Sequence, residues 1–159
     1  MSEPLHMRQA GPADVPAIRA LTHQAYAKWV PTIGRAPVPM TIDYAEVVQR
    51  HRIDLVHLDG ALVALLETVP KADHLLIESV AVLPSFQGRG LGRQLMAQAE
   101  RIAASLGLGE IRLYANKLFV ENVQLYLRLG YRVDREEEFK GGLLVHMSKQ
   151  IAAPGTPSR

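Results

Sequence analysis

The sequence predicts an α/β layered domain, with helices packed on the faces of a mixed sheet. Three observations lead there. Apolar runs with strand-like patterning alternate with stretches of helical period along the 159 residues. One run, Leu75–Leu83, is nearly continuously apolar, as expected of a strand buried on both faces in a sheet centre. A glycine-rich turn then joins that run directly to an amphipathic helix, the junction at which α/β proteins commonly place a ligand.

Taken in order, Leu5–Ala10 reads as a short first strand closed by Gly11-Pro12. Asp14 stands at the start of a helical pattern that puts Val15, Ile18, Leu21 and Ala25 on one face. From Ala27 to Thr41 the prolines 31, 37 and 39 and Gly34 interrupt any regular element, and a short helix is expected from about Asp43 to Arg50. Ile53–His57 and Ala61–Thr68 read as a hairpin around Asp59-Gly60, a two-residue turn signal. After Leu75–Leu83, a helix carries Leu91, Leu95, Ala99, Ile102 and Leu106 on one stripe, and Gly107 closes it. Glu110–Ala115 is a strand and Phe119–Arg128 a helix ending before Gly130. Tyr131–Phe139 and Leu143–Lys149 are a last strand pair around Gly141-Gly142. The predicted order is β-α-α-β-β-β-α-β-α-β-β. The domain is expected to span residues 5–149, with 1–4 and 150–159 as flexible tails.

Composition narrows the function classes. Apolar content of 48% and charged content of 21% are those of a globular protein, and a net charge of +2 with no basic stripe argues against a nucleic-acid partner. The absence of cysteine excludes disulfides, thiolate metal sites and a cysteine nucleophile. None of the six histidines has metal-ligand spacing, so no metal is expected. Neither a leader pattern nor a membrane-length apolar run is found, and a cytoplasmic location away from membranes is expected.

The glycine-rich turn Gln87-Gly88-Arg89-Gly90-Leu91-Gly92 aims helix-start N–H groups and the positive end of a helix dipole at one spot, which suits a phosphate. Two nucleotide motifs fail on it. The third glycine comes one residue early for G-x-G-x-x-G, and the following strand ends Leu113-Tyr114-Ala115-Asn116 without the acid that motif needs. Gly92 is followed by Arg93-Gln94, not by Lys-Ser/Thr.

The same six residues match (Gln/Arg)-x-x-Gly-x-(Gly/Ala), the signature loop of the GNAT superfamily of acyl-CoA-dependent N-acyltransferases, which this chain resembles. Ser79-Val80-Ala81-Val82-Leu83-Pro84 is similar to that family's central strand, and Leu125-Tyr126-Leu127-Arg128-Leu129-Gly130-Tyr131 to its late helix and following strand. The resemblance covers roughly residues 5–149 and implies a single-domain, mostly antiparallel sheet flanked by helices.

The resemblance also implies roles. Backbone N–H groups from Gln87 through Gly92, including Gly88, Arg89, Gly90 and Leu91, would hold the pyrophosphate of acetyl-CoA. Arg89 and Arg93 either add charge there or are solvated helix-start residues. Val80, Ala81 and Val82 would bind the pantetheine arm through their backbone, with the Val82 N–H polarising the thioester carbonyl. Glu78, nine residues before Gln87, would act as general base; the alternative is a structurally hydrogen-bonded strand glutamate. Tyr126 matches the tyrosine that protonates the departing thiolate, although Phe119, Val123 and Tyr126 share a helical face and would pack together regardless. Asn116 matches a position that often faces the active centre. Phe119 stands where many members carry a CoA-contacting asparagine, so Asn122 is either its substitute, a helix cap or an exposed polar residue. Trp29, Met40 and Tyr44, with Asp43, lie in or beside the segment that typically roofs the acceptor pocket. Glu136-Glu137-Glu138 either attracts a cationic amine or is a solvated face.

The implied function is transfer of an acetyl group from acetyl-CoA to a primary amine of a small molecule or peptide, by direct attack. The competing class is a non-catalytic acyl-CoA-binding or sensor domain of the same fold. Homodimerisation through the late strands is not legible in the sequence.

Overall fold

The fold is that of a computed structural model in which residues 6–151 are described. Residues 1–5, with the expected N-terminal tail and the first residue of the predicted strand, and residues 152–159 lie outside them. Seven strands, β1 (Met7–Gln9), β2 (Arg52–Leu58), β3 (Ala61–Pro70), β4 (Leu75–Val82), β5 (Glu110–Asn116), β6 (Arg132–Phe139) and β7 (Gly142–Gln150), form one sheet in the order β1-β2-β3-β4-β5-β7-β6. Only β4 and β5 are described as parallel neighbours; β1/β2, β2/β3, β5/β7 and β6/β7 are antiparallel. The helices are α1 (Val15–Tyr26), α2 (Val30–Ile33), α3 (Tyr44–Arg50), α4 (Leu91–Ser105) and α5 (Val120–Arg128). This is the mixed, mostly antiparallel α/β architecture that the sequence predicts.

The described residues gather into two compact units, one within 6–68 and 79–96 and one within 69–78 and 97–151. In the first, Val15, Ile18, Leu21 and Ala25 of α1 are buried as their spacing predicts, and α1 packs on α3. Asp43 caps α3, its carboxylate accepting from the Ala45 N–H at 3.1 Å. The β2–β3 turn is Asp59-Gly60, both at positive φ (51° and 80°), the backbone a tight primed turn requires.

Ahead of α1, the Asp14 carboxylate accepts from the Gly11 N–H at 2.9 Å and from both terminal nitrogens of Arg8, at 2.6 and 2.9 Å. The Arg8 guanidinium, then the Gly11 N–H, hold that carboxyl at about 2, below its usual 3.8. A carboxyl depressed on folding stabilises the native state above its unfolded pKa, and that contribution is lost as pH falls through the folded value. Asp14→Asn should therefore lower the melting temperature at pH 6 by more than at pH 2, a difference that thermal scans at the two pH values read directly.

In the second unit, Ile111 and Leu113 of β5 and Val145 and Met147 of β7 are 0–3% exposed on one side of the strands, while Arg112 and Tyr114 lie on the other. α4 ends as predicted at Gly107, whose φ of 73° lets the Leu108 N–H reach back to the Ala103 carbonyl at 2.9 Å. α5 ends likewise: Gly130 has φ 97°, and the Tyr131 N–H donates to the Tyr126 carbonyl at 3.0 Å.

Several expectations need correction. The 27–41 segment is not irregular: it forms a 3-10 turn (Ala27–Trp29), α2 and a second 3-10 turn (Val38–Thr41). Its prolines start helical turns, where their missing N–H costs nothing, and Gly34 at φ 75° ends α2. β4 is not buried on both faces. Leu75, Ile77, Ser79 and Ala81 are buried, but Leu76, Glu78, Val80 and Val82 are only half-buried. Leu106 lies beyond α4 and is 52% exposed. The last hairpin turns at Lys140-Gly141 (φ 49° and 79°), with Gly142 already paired to Phe139. Gln150 belongs to β7, and the Ile151 N–H donates to the Gly109 carbonyl at 2.9 Å, so neither residue belongs to a tail.

Candidate active site

The turn between β4 and α4 is built from its own contacts. Pro84–Phe86 form a 3-10 turn, and the Gln87 N–H donates to the Pro84 carbonyl at 3.3 Å. The Gln87 side chain donates from Nε2 to the Val82 carbonyl at 3.1 Å and accepts from Lys28 Nζ at 3.3 Å. Gln87 is thus a brace that folds the loop back on the strand end, and its N–H is already engaged. The glycines of the turn start one residue later. Gly88 (φ 79°) and Gly90 (φ 81°) take left-handed conformations, and no atom lies within 4 Å of where a Cβ would stand on either.

The Gln94 N–H donates to the Gly90 carbonyl at 3.1 Å, which sets the first turn of α4. The N–H groups of Leu91, Gly92 and Arg93 come before any intrahelical acceptor and so serve whatever lies off the helix end. Arg89 and Arg93 are exposed, and the Arg89 guanidinium sits 4.9 Å from the Phe86 ring centroid. That cation–π contact holds Arg89 at the loop.

β4 leads into this loop. Its parallel ladder with β5 has the register pairs Leu75↔Ile111, Leu76↔Arg112 and Ile77↔Leu113, and β4 continues past it to Val82. Two carbonyls of that continuation are occupied. Val80 accepts from the Tyr26 hydroxyl at 3.3 Å, and Val82 from Gln87. The Tyr26 phenol is pushed up by burial. The buried Glu67 carboxylate lies 2.7 Å from His51 Nδ1.

The second unit carries the titratable candidates. Glu78 is half-buried at the end of the β4–β5 ladder, and Tyr114 Oη donates to its Oε2 at 2.8 Å. Partial exposure and a hydrogen bond answer the cost of a carboxylate in an apolar strand. Tyr126, 8% exposed on the last turn of α5, has its ring centroid 6.1 Å from that of Tyr131. Burial pushes the Tyr131 phenol up.

A model of the acetyltransferase (GNAT) family matches residues 18–131, a span that includes the turn, both β4 and β5, and Tyr126. The chain belongs to the GNAT acetyltransferase family. Solved structures agree on the GNAT fold. PaiA N-acetyltransferase from Thermoplasma acidophilum, in complex with coenzyme A, superposes with a TM-score of 0.79 at 17% identity, over 94% of this chain and 99% of that one. The ribosomal-protein-S18-alanine N-acetyltransferase of Escherichia coli gives 0.76 at 19% identity, over 97% and 98%. YncA of Salmonella typhimurium, a putative acetyltransferase with its cofactor acetyl-CoA, gives 0.71 at 20%, over 98% and 99%. At these identities the likeness is one of fold. No curated protein sequence gives a significant match.

Against that GNAT frame, the residues singled out in the sequence separate. Asn116 does not present a free carboxamide oxygen: its Oδ1 accepts from the Leu118 N–H at 2.9 Å, and its carbonyl accepts from the Phe119 N–H, so it shapes the turn into α5. Asn122 is not a helix cap, since Phe119 holds the N-cap position and Asn122 is half-buried inside α5.

Tyr44 is 1% exposed and its hydroxyl donates to the Pro39 carbonyl at 3.0 Å, which makes it a core residue that pins the 38–41 turn. Trp29 is also buried, only 8% exposed, with Lys28 Nζ 4.9 Å from its ring, and only Met40 of the three is half-buried. In the acidic run, Glu136 pairs with Lys117 at 2.8 Å and Glu137 with His146 Nε2 at 3.0 Å.

The sequence reading missed Tyr26, Tyr114 and His146. Tyr114 was the most accessible of these: in Arg112-Leu113-Tyr114 the period-two pattern already puts it opposite the apolar face. Among the described residues no group of histidine and carboxylate side chains is arranged to hold a metal ion. No described helix is long and apolar enough to cross a membrane.

Proposed function

We propose that this GNAT chain is an acetyl-CoA-dependent N-acetyltransferase that acts on a primary amine of a small molecule or peptide. The observation that carries the reading is the turn at Gly88–Gly90. Two left-handed glycines with open space beyond their Cα atoms stand at the start of a fifteen-residue helix, on the end of a strand that outruns its parallel ladder. Gly88, Arg89, Gly90, Leu91, Gly92 and Arg93 would take the pyrophosphate of acetyl-CoA, with Gln87 bracing the loop behind them. Val80, Ala81 and Val82 would line the pantetheine arm. With the Val80 and Val82 carbonyls held by Tyr26 and Gln87, their contribution would be through N–H groups, and that of Val82 would polarise the thioester carbonyl.

Bound acetyl-CoA supplies a thioester that is open to attack by a neutral amine. A lysine-like amine, with a pKa of about 10.4, is protonated at pH 7, an obstacle of roughly 4–5 kcal/mol. Glu78 accepts the amine proton as the N–C bond forms. Tyr126 donates its hydroxyl proton to sulfur as the C–S bond breaks, and then recovers one from solvent.

Two measurements test this. Calorimetry with acetyl-CoA should give saturable binding, and no binding at millimolar ligand would overturn the assignment. A thiol-release assay over putrescine, spermidine, lysine, tyramine and an alanine-initiated peptide should find at least one amine that accelerates release. Tight binding with no acceleration across such panels would point to the non-catalytic acyl-CoA-binding class.

A further inference from the structure

We propose that Tyr114 is a positioning residue for the general base, holding the Glu78 carboxylate while His146 and Glu137 hold Tyr114. The inference rests on Glu78 being the base, as proposed above, and adds residues that the family match does not assign.

The geometry forms a string across four neighbouring strands, β4, β5, β7 and β6. Tyr114 Oη donates to Glu78 Oε2 at 2.8 Å. The Tyr114 ring lies against that of His146, centroids 5.9 Å apart and tilted by 38°, and the two residues are direct partners in the β5–β7 ladder. His146 Nε2 lies 3.0 Å from Glu137 Oε1 on β6. Each member is partly exposed. Tyr114 is 38% exposed, and the His146 and Glu137 side chains are 24% and 48% exposed, so packing alone does not fix them and the contacts do.

The Glu137 contact depends on a bulge. Val133 pairs with Met147, but the register shifts so that Arg135 pairs with His146 and Glu137 with Leu144. Without that one-residue shift Glu137 would lie on the face of the buried Val145 and Met147. The bulge therefore puts this glutamate, and neither of its neighbours, diagonal to His146 on the polar face.

A carboxylate that must take a proton from a bound amine loses rate when its oxygen is free to rotate away. A single charge-assisted hydrogen bond from a tyrosine on the neighbouring strand removes that freedom. Phe at position 114 keeps the ring and its contact with His146, so the substitution removes the hydroxyl alone.

The test is a double-mutant cycle on the full-length protein, with acetyl-CoA and whichever panel amine is turned over fastest. Glu78→Gln is expected to lower kcat by about 10²-fold or more, the range of general-base loss. Tyr114→Phe is expected to lower kcat about tenfold and leave the KM for acetyl-CoA unchanged. In the Glu78→Gln background, Tyr114→Phe should change kcat less than twofold, because its effect runs through the carboxylate.

Equal losses in both backgrounds would overturn the proposal, as would a kcat for Tyr114→Phe that matches the parent. An unchanged kcat in Glu78→Gln alone would overturn the base assignment itself, and the two failures are therefore distinguishable. Glu137→Gln, which keeps shape but removes the charge that orients His146, should reproduce part of the Tyr114→Phe loss, again only when Glu78 is present.

Discussion

Replacing Tyr126 by phenylalanine should lower kcat by about 10²-fold, at the lower end of what a general acid contributes. The low end follows from the leaving group. A thiol ionises near 8.5 and a phenol near 10, so thiolate departs passably without help, and a proton from Tyr126 in the proposed acid role would mainly prevent its return. The substitution isolates that proton. The Tyr126 ring is buried and lies 6.1 Å from Tyr131, and Phe fills the same volume with the same ring contact. The KM for acetyl-CoA should stay within about twofold and the melting temperature should move little, because only the hydroxyl is lost. Steady-state kinetics at saturating acetyl-CoA decide it: a kcat equal to the parent's removes Tyr126 from the acid role.

The second large effect is expected at Gly90. Its φ of 81° is one that a β-branched residue essentially does not adopt, and the left-handed region alone costs an L-residue about 1–2 kcal/mol. Gly90→Val must either carry that strain, at a cost in stability, or relieve it by swinging the loop to negative φ, and the second course would turn the N–H groups at the start of α4 away from the proposed pyrophosphate position. Acetyl-CoA affinity should fall more than about tenfold, since 1.4 kcal/mol is one decade.

Gly107→Val is the control. Gly107 has nearly the same φ, 73°, but closes the other end of α4. It should cost comparable stability by chemical denaturation and leave acetyl-CoA affinity unchanged. If the two variants lose affinity equally, the loss is one of folding and not of the loop.

What was legible in the sequence is what short-range chemistry controls. Asp59-Gly60, Gly107 and Gly130 mark chain reversals because few residues tolerate positive φ, and the structure puts one at each. Val15, Ile18, Leu21 and Ala25 are buried because their spacing lets them face one way only. Where two local signals compete, the sequence misleads. Prolines 31 and 39 read as breakers, yet at helix starts they are favoured, and which reading holds depends on where the chain goes next. The continuous apolar run of β4 suggested burial on both faces, but it shows only that its residues are apolar. How much covers each face is decided by other elements.

The candidate site divides in the same way. The family's turn, Gln87–Gly92, could be recognised alone because its glycines and helix start lie in one contiguous stretch, and local sequence determines both. The family followed from that stretch with the Tyr126 segment. The partners of those residues could not be read, because they come from distant positions: Lys28 and Val82 for Gln87, Tyr26 for Val80, Tyr114 for Glu78. Tyr44 and Trp29 looked like acceptor contacts, yet burial depends on what packs over a side chain and not on its type. The run Glu136-Glu137-Glu138 shows it most plainly. Sequence alone makes the three equivalent, and a one-residue bulge at Val133–Arg135 selects Glu137 to meet His146, because in a strand each shift of one residue exchanges the two faces.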